Sequence, residues 1–241
     1  MTDLKDEGAL VKLGSNLIFI SHSNTDKDFA VQLKGVLRGL GFQGFVAHMD
    51  IEPSHEWEGE ILKALRDCAA MVVIASDPAK ASPWVNHEIG AMALQDKPAI
   101  SIMHGCAPWT LISHRQALRW EVPPPGFYIG PREALKKNTT TLYHSLKNLG
   151  VATHRHLIEG LGASMSFDEA NALIPLLETE VTAVGGLSAD EADRLAYLAS
   201  MNQNVYQSYA GKGSLPTLLS PLKDSIHPQV LDMLDSQGIK I

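Results

Sequence analysis

Between Leu17 and Ile102, short apolar runs alternate with stretches of helical periodicity, a rhythm that calls for parallel strands in a sheet covered by helices. The first run, Leu17 to Ile20, opens into the polar loop Ser21, His22, Ser23, Asn24, Thr25 and Asp26. A helix follows, with Phe29, Leu33, Val36, Leu37 and Leu40 on one stripe and Gly39 and Gly41 at its end. A second strand is expected over about Gly44 to Ala47, then the loop His48 to Pro53, then a helix capped by Ser54 that carries Trp57, Ile61, Leu62 and Leu65. A third strand is expected at Ala70 to Ala75. Ser82 and Pro83 have the form of an N-cap and first helical residue for a helix with Trp84, Val85, Glu88, Ile89 and Met92, and a fourth strand is expected at Ala99 to Met103.

Past Gly105 the periodicity is broken by Pro108, Pro123, Pro124, Pro125 and Pro131, which leaves room for a short edge strand near Leu118 to Val122. From Glu133 to Leu149 the pattern turns helical, and Ser166-Phe-Asp-Glu169 and Ser188-Ala-Asp-Glu191 are capping boxes that open further helices. The expected division is an N-terminal extension over 1–14, an α/β domain over 15–130, and a smaller all-helical C-terminal region over 131–241 with no assigned role. In that region, Leu173, Leu176, Leu177, Leu195 and Leu198 could serve assembly or pack against the sheet domain.

Composition narrows the function. The 241 residues carry 20 Lys and Arg against 27 Asp and Glu, a net charge of −7, which opposes a general nucleic-acid binder. Cys68 and Cys106 are the only cysteines and lie at neither disulfide-framework nor zinc spacing, so a reducing cytoplasm fits. No basic segment precedes an apolar run at the start, and no run of apolar residues is long enough for a span, so neither a signal peptide nor a membrane segment is expected. Among the ten histidines, His154 and His156 stand at i,i+2 and would not converge on one helix face, and no metal site is expected.

In a doubly wound sheet, ligands bind beyond the carboxyl ends of the strands, at the switch in strand order. The residues to question are therefore Ser21 and His22, His48 to Pro53, and Ser76 to Glu88. On the helix that follows Ser82, Val85, Ile89 and Met92 make the core stripe, while Trp84 and Glu88, at i,i+4, share a flank near the strand ends. No G-x-G-x-x-G turn is present, which argues against a hydride-transfer site of the Rossmann type.

Three blocks carry a resemblance: Phe19-Ile-Ser-His-Ser23; Phe45-Val-Ala-His-Met-Asp-Ile-Glu-Pro53 with Glu56-Trp57 and Glu60-Ile61; and Ser82-Pro-Trp-Val-Asn-His-Glu88. In order and spacing they resemble the Toll/interleukin-1 receptor (TIR) domain in its standalone bacterial form, over roughly residues 15 to 125. The resemblance implies a flavodoxin-like parallel sheet with helices on both faces and strand order 2-1-3-4-5. It also implies that Asp50 to Ser54 correspond to the family's BB loop. Many relatives cleave NAD+ at the nicotinamide-ribose bond with a glutamate four residues after a tryptophan, and those positions correspond to Trp84 and Glu88.

The activity so implied is that of an NAD+ nucleosidase, releasing nicotinamide and either ADP-ribose or a cyclic isomer, in bacterial anti-phage defence or signalling. NAD+ is then the substrate and no cofactor is required. Glu88 is the catalytic candidate, with Trp84, Ser21, His22, Asp50 and Ile51 as substrate contacts and the start of the first helix, near Asn24 to Lys27, open to the pyrophosphate. Implied partners are other TIR protomers and a defence-system effector or sensor. The alternative is a non-enzymatic TIR–TIR scaffold. Simpler roles stand beside these: Glu88 as a solvent-facing helical glutamate, Trp84, Trp57 and Phe19 as core, Asp50 and Glu52 as loop caps, and Cys106 as a small buried side chain.

Overall fold

The computed structural model describes residues 15–46, 57–121 and 130–241. Strands β1 (Leu17–Ser21), β2 (Gln43–Phe45), β3 (Ala70–Ala75), β4 (Ala99–Met103) and β5 (Leu118–Arg119) form one parallel sheet in the order β2-β1-β3-β4-β5. The order reverses between β1 and β3, where Ile18 pairs with Ala70 and Ser21 with Val73. All six residues of β3 are buried, as a central strand covered on both faces requires.

Strand alternation sends side chains to two separate cores. Ile18, Ile20, Val72, Ile74, Ile100 and Ile102 face α1 (Lys27–Gly39), with its buried Phe29, Leu33 and Leu37. Phe19, Met71, Val73 and Ala75 face α2 (Trp57–Asp67) through Ile61 and Leu65. A five-residue helix, α3 (Asp77–Ala81), runs into α4 (Pro83–Leu94), whose Val85, Ile89 and Met92 complete this second core. The third and fourth strands and the Ser82-Pro83 helix start match the sequence reading. Helix α3, too short to show a period, was not expected. Strand β2 begins one residue earlier than expected and ends at Phe45 rather than about Ala47, and β5 is only two residues long.

The helices that follow are α5 (Gly130–Asn148), α6 (His154–Gly162), α7 (Phe167–Ala183), α8 (Ala189–Met201), α9 (Gln203–Tyr206), α10 (Tyr209–Leu219) and α11 (Pro228–Ser236). Ser166 and Ser188 cap α7 and α8, each accepting an N–H from the glutamate three residues on. Leu142 and Leu146 of α5, Leu157 and Leu161 of α6, and Leu173, Leu177 and Leu195 join the α1-side core. The leucine stripes of the helical region are thus spent on packing within the chain.

Glycines set the closest approach. Gly41, at φ +81°, lies against α6 so tightly that a Cβ there would stand 2.0 Å from the carbonyl oxygen of His156, and a Cβ on Gly160 would stand 1.9 Å from that of Gly39. His156 stacks on Phe42 with ring centroids 4.4 Å apart, sealing the same contact. Among the described residues, no helix is long and apolar enough to cross a membrane.

Candidate active site

Strand β1 delivers Phe19 and, two residues later, Ser21 to the same face of the sheet. Phe19 is core, with its ring 5.4 Å from that of Phe45. Ser21, at the carboxyl end, is buried and meets α4 instead: its hydroxyl donates to Glu88 Oε2 at 2.5 Å. Helix α4 is started by the Ser82 hydroxyl, which accepts the Val85 N–H at 3.4 Å, and by Pro83 in its first turn. Asn86 fixes the same turn, donating to the Ser82 carbonyl at 2.8 Å and accepting the Trp109 indole N–H at 2.8 Å.

Glu88 is only 8% exposed, so the solvent-facing reading of this residue does not hold. Burial raises its carboxyl to a pKa of about 7, with the Ser21 hydroxyl pulling the other way. An acid so displaced, at the end of strands where this architecture binds ligands, is the chemical feature of the described structure that stands apart. Trp84, one turn earlier, is 47% exposed, so it is not core; its indole meets His87 edge-on at 6.2 Å. The tryptophan and the glutamate therefore offer a half-exposed aromatic ring and a secluded carboxyl on one helix.

His22 is buried beside Ser21 in sequence. Asp50 and Ile51 lie outside the described residues, as do Glu52 and Ser54. The start of α1 is less suited to a phosphate than its polar sequence suggests, because Asp26 already places a carboxyl there, accepting the Ser23 N–H at 3.3 Å. Asp26 is buried and also takes the Ser23 hydroxyl and the Ser76 hydroxyl, the latter at 2.6 Å. The sequence reading placed Asp26, Ser76 and Asn86 in the segments that follow β1 and β3 but gave none of them a role of its own. The Ser23-x-x-Asp26 spacing was the available signal for the first, whereas partners as distant as Ser76 and Trp109 leave none.

No group of three or more His, Cys, Asp or Glu side chains able to hold a metal occurs among the described residues. His154 instead meets Glu191 at 2.9 Å, and Nε2 of His104 lies 4.0 Å from Asp26. Cys106 is buried, in keeping with a small packed side chain. Two cavities of about 280 and 290 Å³ lie elsewhere, one lined by Val36, Trp120, Leu135 and Leu173, the other by Phe167, Asn171, Tyr209 and Lys212.

The family model described as TIR domain matches residues 18–122. Among solved structures, the chain is similar to the TIR domain of the Toll-related receptor TRR-2 of Hydra magnipapillata, at 17% identity and a TM-score of 0.43, over 54% of this chain and 98% of that one. No curated protein matches.

Proposed function

Because residues 18–122 form a TIR domain, we propose that the chain is an NAD+ nucleosidase in which Glu88 acts at the nicotinamide-ribose bond. TIR domains serve signalling, by self-association and binding of other TIR proteins or by cleaving NAD+, and the secluded Glu88 carboxyl favours the second for this chain. The observation that carries the reading is that carboxyl, held by Ser21 at the carboxyl edge of the sheet, one turn from the half-exposed Trp84.

The chemistry asks for one acid group. Nicotinamide is cationic in NAD+ and leaves neutral, so no general acid is needed, unlike an ordinary glycoside whose leaving oxygen must be protonated. Positive charge then gathers on the ribose as an oxocarbenium ion. A carboxylate fixed in a water-poor setting stabilises that charge and accepts hydrogen bonds from ribose hydroxyls. Ser21 orients the carboxyl, and Trp84 gives a face on which a flat ring can lie. The approach of the cationic nicotinamide ring also favours ionisation of a carboxyl poised near neutrality.

Water reaching the anomeric carbon gives ADP-ribose; a nucleophile of the same molecule gives a cyclic isomer. Neighbouring TIR protomers are the proposed partners, and bacterial defence or signalling the proposed setting. The test is nicotinamide release from NAD+ by the full chain at concentrations that permit assembly. Glu88→Ala is expected to lower the rate by on the order of a hundredfold or more, the effect of removing one preorganised electrostatic group. Equal release by the variant, or none by the folded wild type, contradicts the proposal. A scaffold alone would leave Glu88→Gln biologically intact while substitutions at Asp50 or Ile51 abolish self-association.

A further inference from the structure

One carboxylate oxygen gathers three donors where the segments leaving β1 and β3 meet. Asp26 Oδ2 accepts the Ser23 N–H, the Ser23 hydroxyl and the Ser76 hydroxyl, while Oδ1 faces His104 Nε2 at 4.0 Å. Ser23 and Asp26 alone complete the capping box of the short helical turn Asn24–Asp26. Ser76 is not needed for that cap and arrives from fifty residues further along the chain.

Ser76 uses both halves of its hydroxyl. Its proton goes to Asp26, and its lone pair accepts the Ala79 N–H at 3.1 Å, which starts α3. Helix α3 runs directly into Ser82 and α4, and α4 carries Glu88. On the other side, Ser23 lies two residues past Ser21, whose hydroxyl Glu88 accepts. The path from Asp26 through Ser76, α3, α4, Glu88, Ser21 and Ser23 back to Asp26 is closed, and it joins the segments that follow β1 and β3, the strands between which strand order reverses.

We infer that Asp26 is a positioning residue for Glu88: by tying the segment after β1 to the segment after β3, it fixes the Ser21 hydroxyl and the Glu88 carboxyl against each other. Asp26 touches neither group, so its effect passes through Ser23 and Ser76. The inference deepens the NAD+ reading of Glu88 and rests on it for its catalytic consequence. An asparagine can present its carbonyl oxygen to the same three donors, so Asp26→Asn keeps the tie, whereas Asp26→Ala removes it. Ser76→Ala cuts the tie to β3 and leaves the Ser23–Asp26 pair.

The experiment compares these three variants with Ser166→Ala, which removes an N-cap in the helical region and controls for lost stability. Three quantities are read on the full chain: kcat and KM for NAD+, and the midpoint of the Glu88 carboxyl titration by carbon NMR. In Asp26→Ala and Ser76→Ala, kcat is expected to fall by on the order of tenfold or more with KM within about twofold, since small misplacements of a catalytic group act on the reacting geometry. Asp26→Asn is expected to recover most of the loss. In Ser76→Ala the midpoint moves upward, because a loosened Ser21 donor no longer favours the ionised form.

If Ser76→Ala and Asp26→Ala lower kcat no more than Ser166→Ala and leave the midpoint where it was, the inference is overturned. If the wild type cleaves no NAD+, the functional reading falls and the midpoint alone decides: an upward move upholds the positioning role, and an unmoved midpoint ends it.

Discussion

Glu88 joins two opposed requirements in one side chain. In the proposed NAD+ cleavage it must be ionised to stabilise a ribosyl cation, yet burial raises its pKa to about 7. With the carboxyl titrating there, kcat/KM for NAD+ is expected to rise through neutral pH and level off above it; a rate that is flat from pH 5 to 8 would contradict the role. Stability runs the other way. The folded state holds the proton more tightly than the unfolded one, so Glu88 costs the fold nothing below the ordinary carboxylate pKa and progressively more as pH rises through 7. At about 1.4 kcal/mol per pKa unit, the full cost is on the order of 3 kcal/mol. Glu88→Gln should therefore melt higher than wild type at pH 8 and lose that advantage at pH 4; an equal difference at both values would show that the carboxyl is not strained by burial. The sequence showed which residue to ask about, through the Trp84-to-Glu88 spacing, but not its seclusion: helix periodicity sets Glu88 beside the Val85-Ile89-Met92 stripe, and only the Ser21 hydroxyl from β1 decides that it turns inward.

At the scale of elements, the legible ones were those whose signal is local. Strand β3 reads as an unbroken apolar run because both its faces are covered, and α4 announces itself by Ser82 and Pro83. Helix α3 and strand β5 are too short for either period, and their place is set by contacts distant in sequence. The same holds for the seam between α1 and α6, since no sequence pattern reveals that Gly160 meets the backbone at Gly39. Gly160→Ala must push those elements apart and is expected to destabilise by about 3 kcal/mol. Gly213→Ala, in α10 with nothing within 4 Å of a new Cβ, should instead stabilise by a few tenths to 1 kcal/mol. Urea denaturation of the pair separates them, and equal stabilities would contradict the close seam. Helices α6 and α8 are also joined through Glu191. Burial pushes its carboxyl up, but the Ser188 N–H, Arg155 and His154 outweigh this and bring it down to about 2. This pair of helices gains stability above the ordinary carboxylate pKa and loses it as pH falls through 2, by about 2 kcal/mol after allowing for the half-exposed Arg155. In Glu191→Gln that acid-dependent loss should vanish from the melting curve; its persistence would place it elsewhere.

For the whole molecule, the apolar core ties the helical region to the sheet. Leu173 and Leu177 of α7 belong to the same cluster as Ile18, Ile20 and Leu33, and so do Leu142 and Leu146 of α5. A chain ending at Leu149 would uncover this surface. Its unfolding should lose cooperativity and it should aggregate at concentrations where the full chain does not, as light scattering would show; a monomeric chain of unchanged melting temperature would mean that α6 to α11 are dispensable. The sequence identified Leu173 and Leu177 as apolar positions of a helix but could not say what they face, because a buried stripe and an assembly stripe have the same period.

The most direct test of the central claim is mass spectrometry of NAD+ incubated with the wild-type chain, Glu88→Ala and Glu88→Gln at matched, assembly-permitting concentrations. The account predicts nicotinamide together with ADP-ribose or its cyclic isomer from the wild type, and a loss of on the order of a hundredfold or more in both variants. Intact NAD+ with a folded wild type, or the same products at the same rate from either variant, would contradict it.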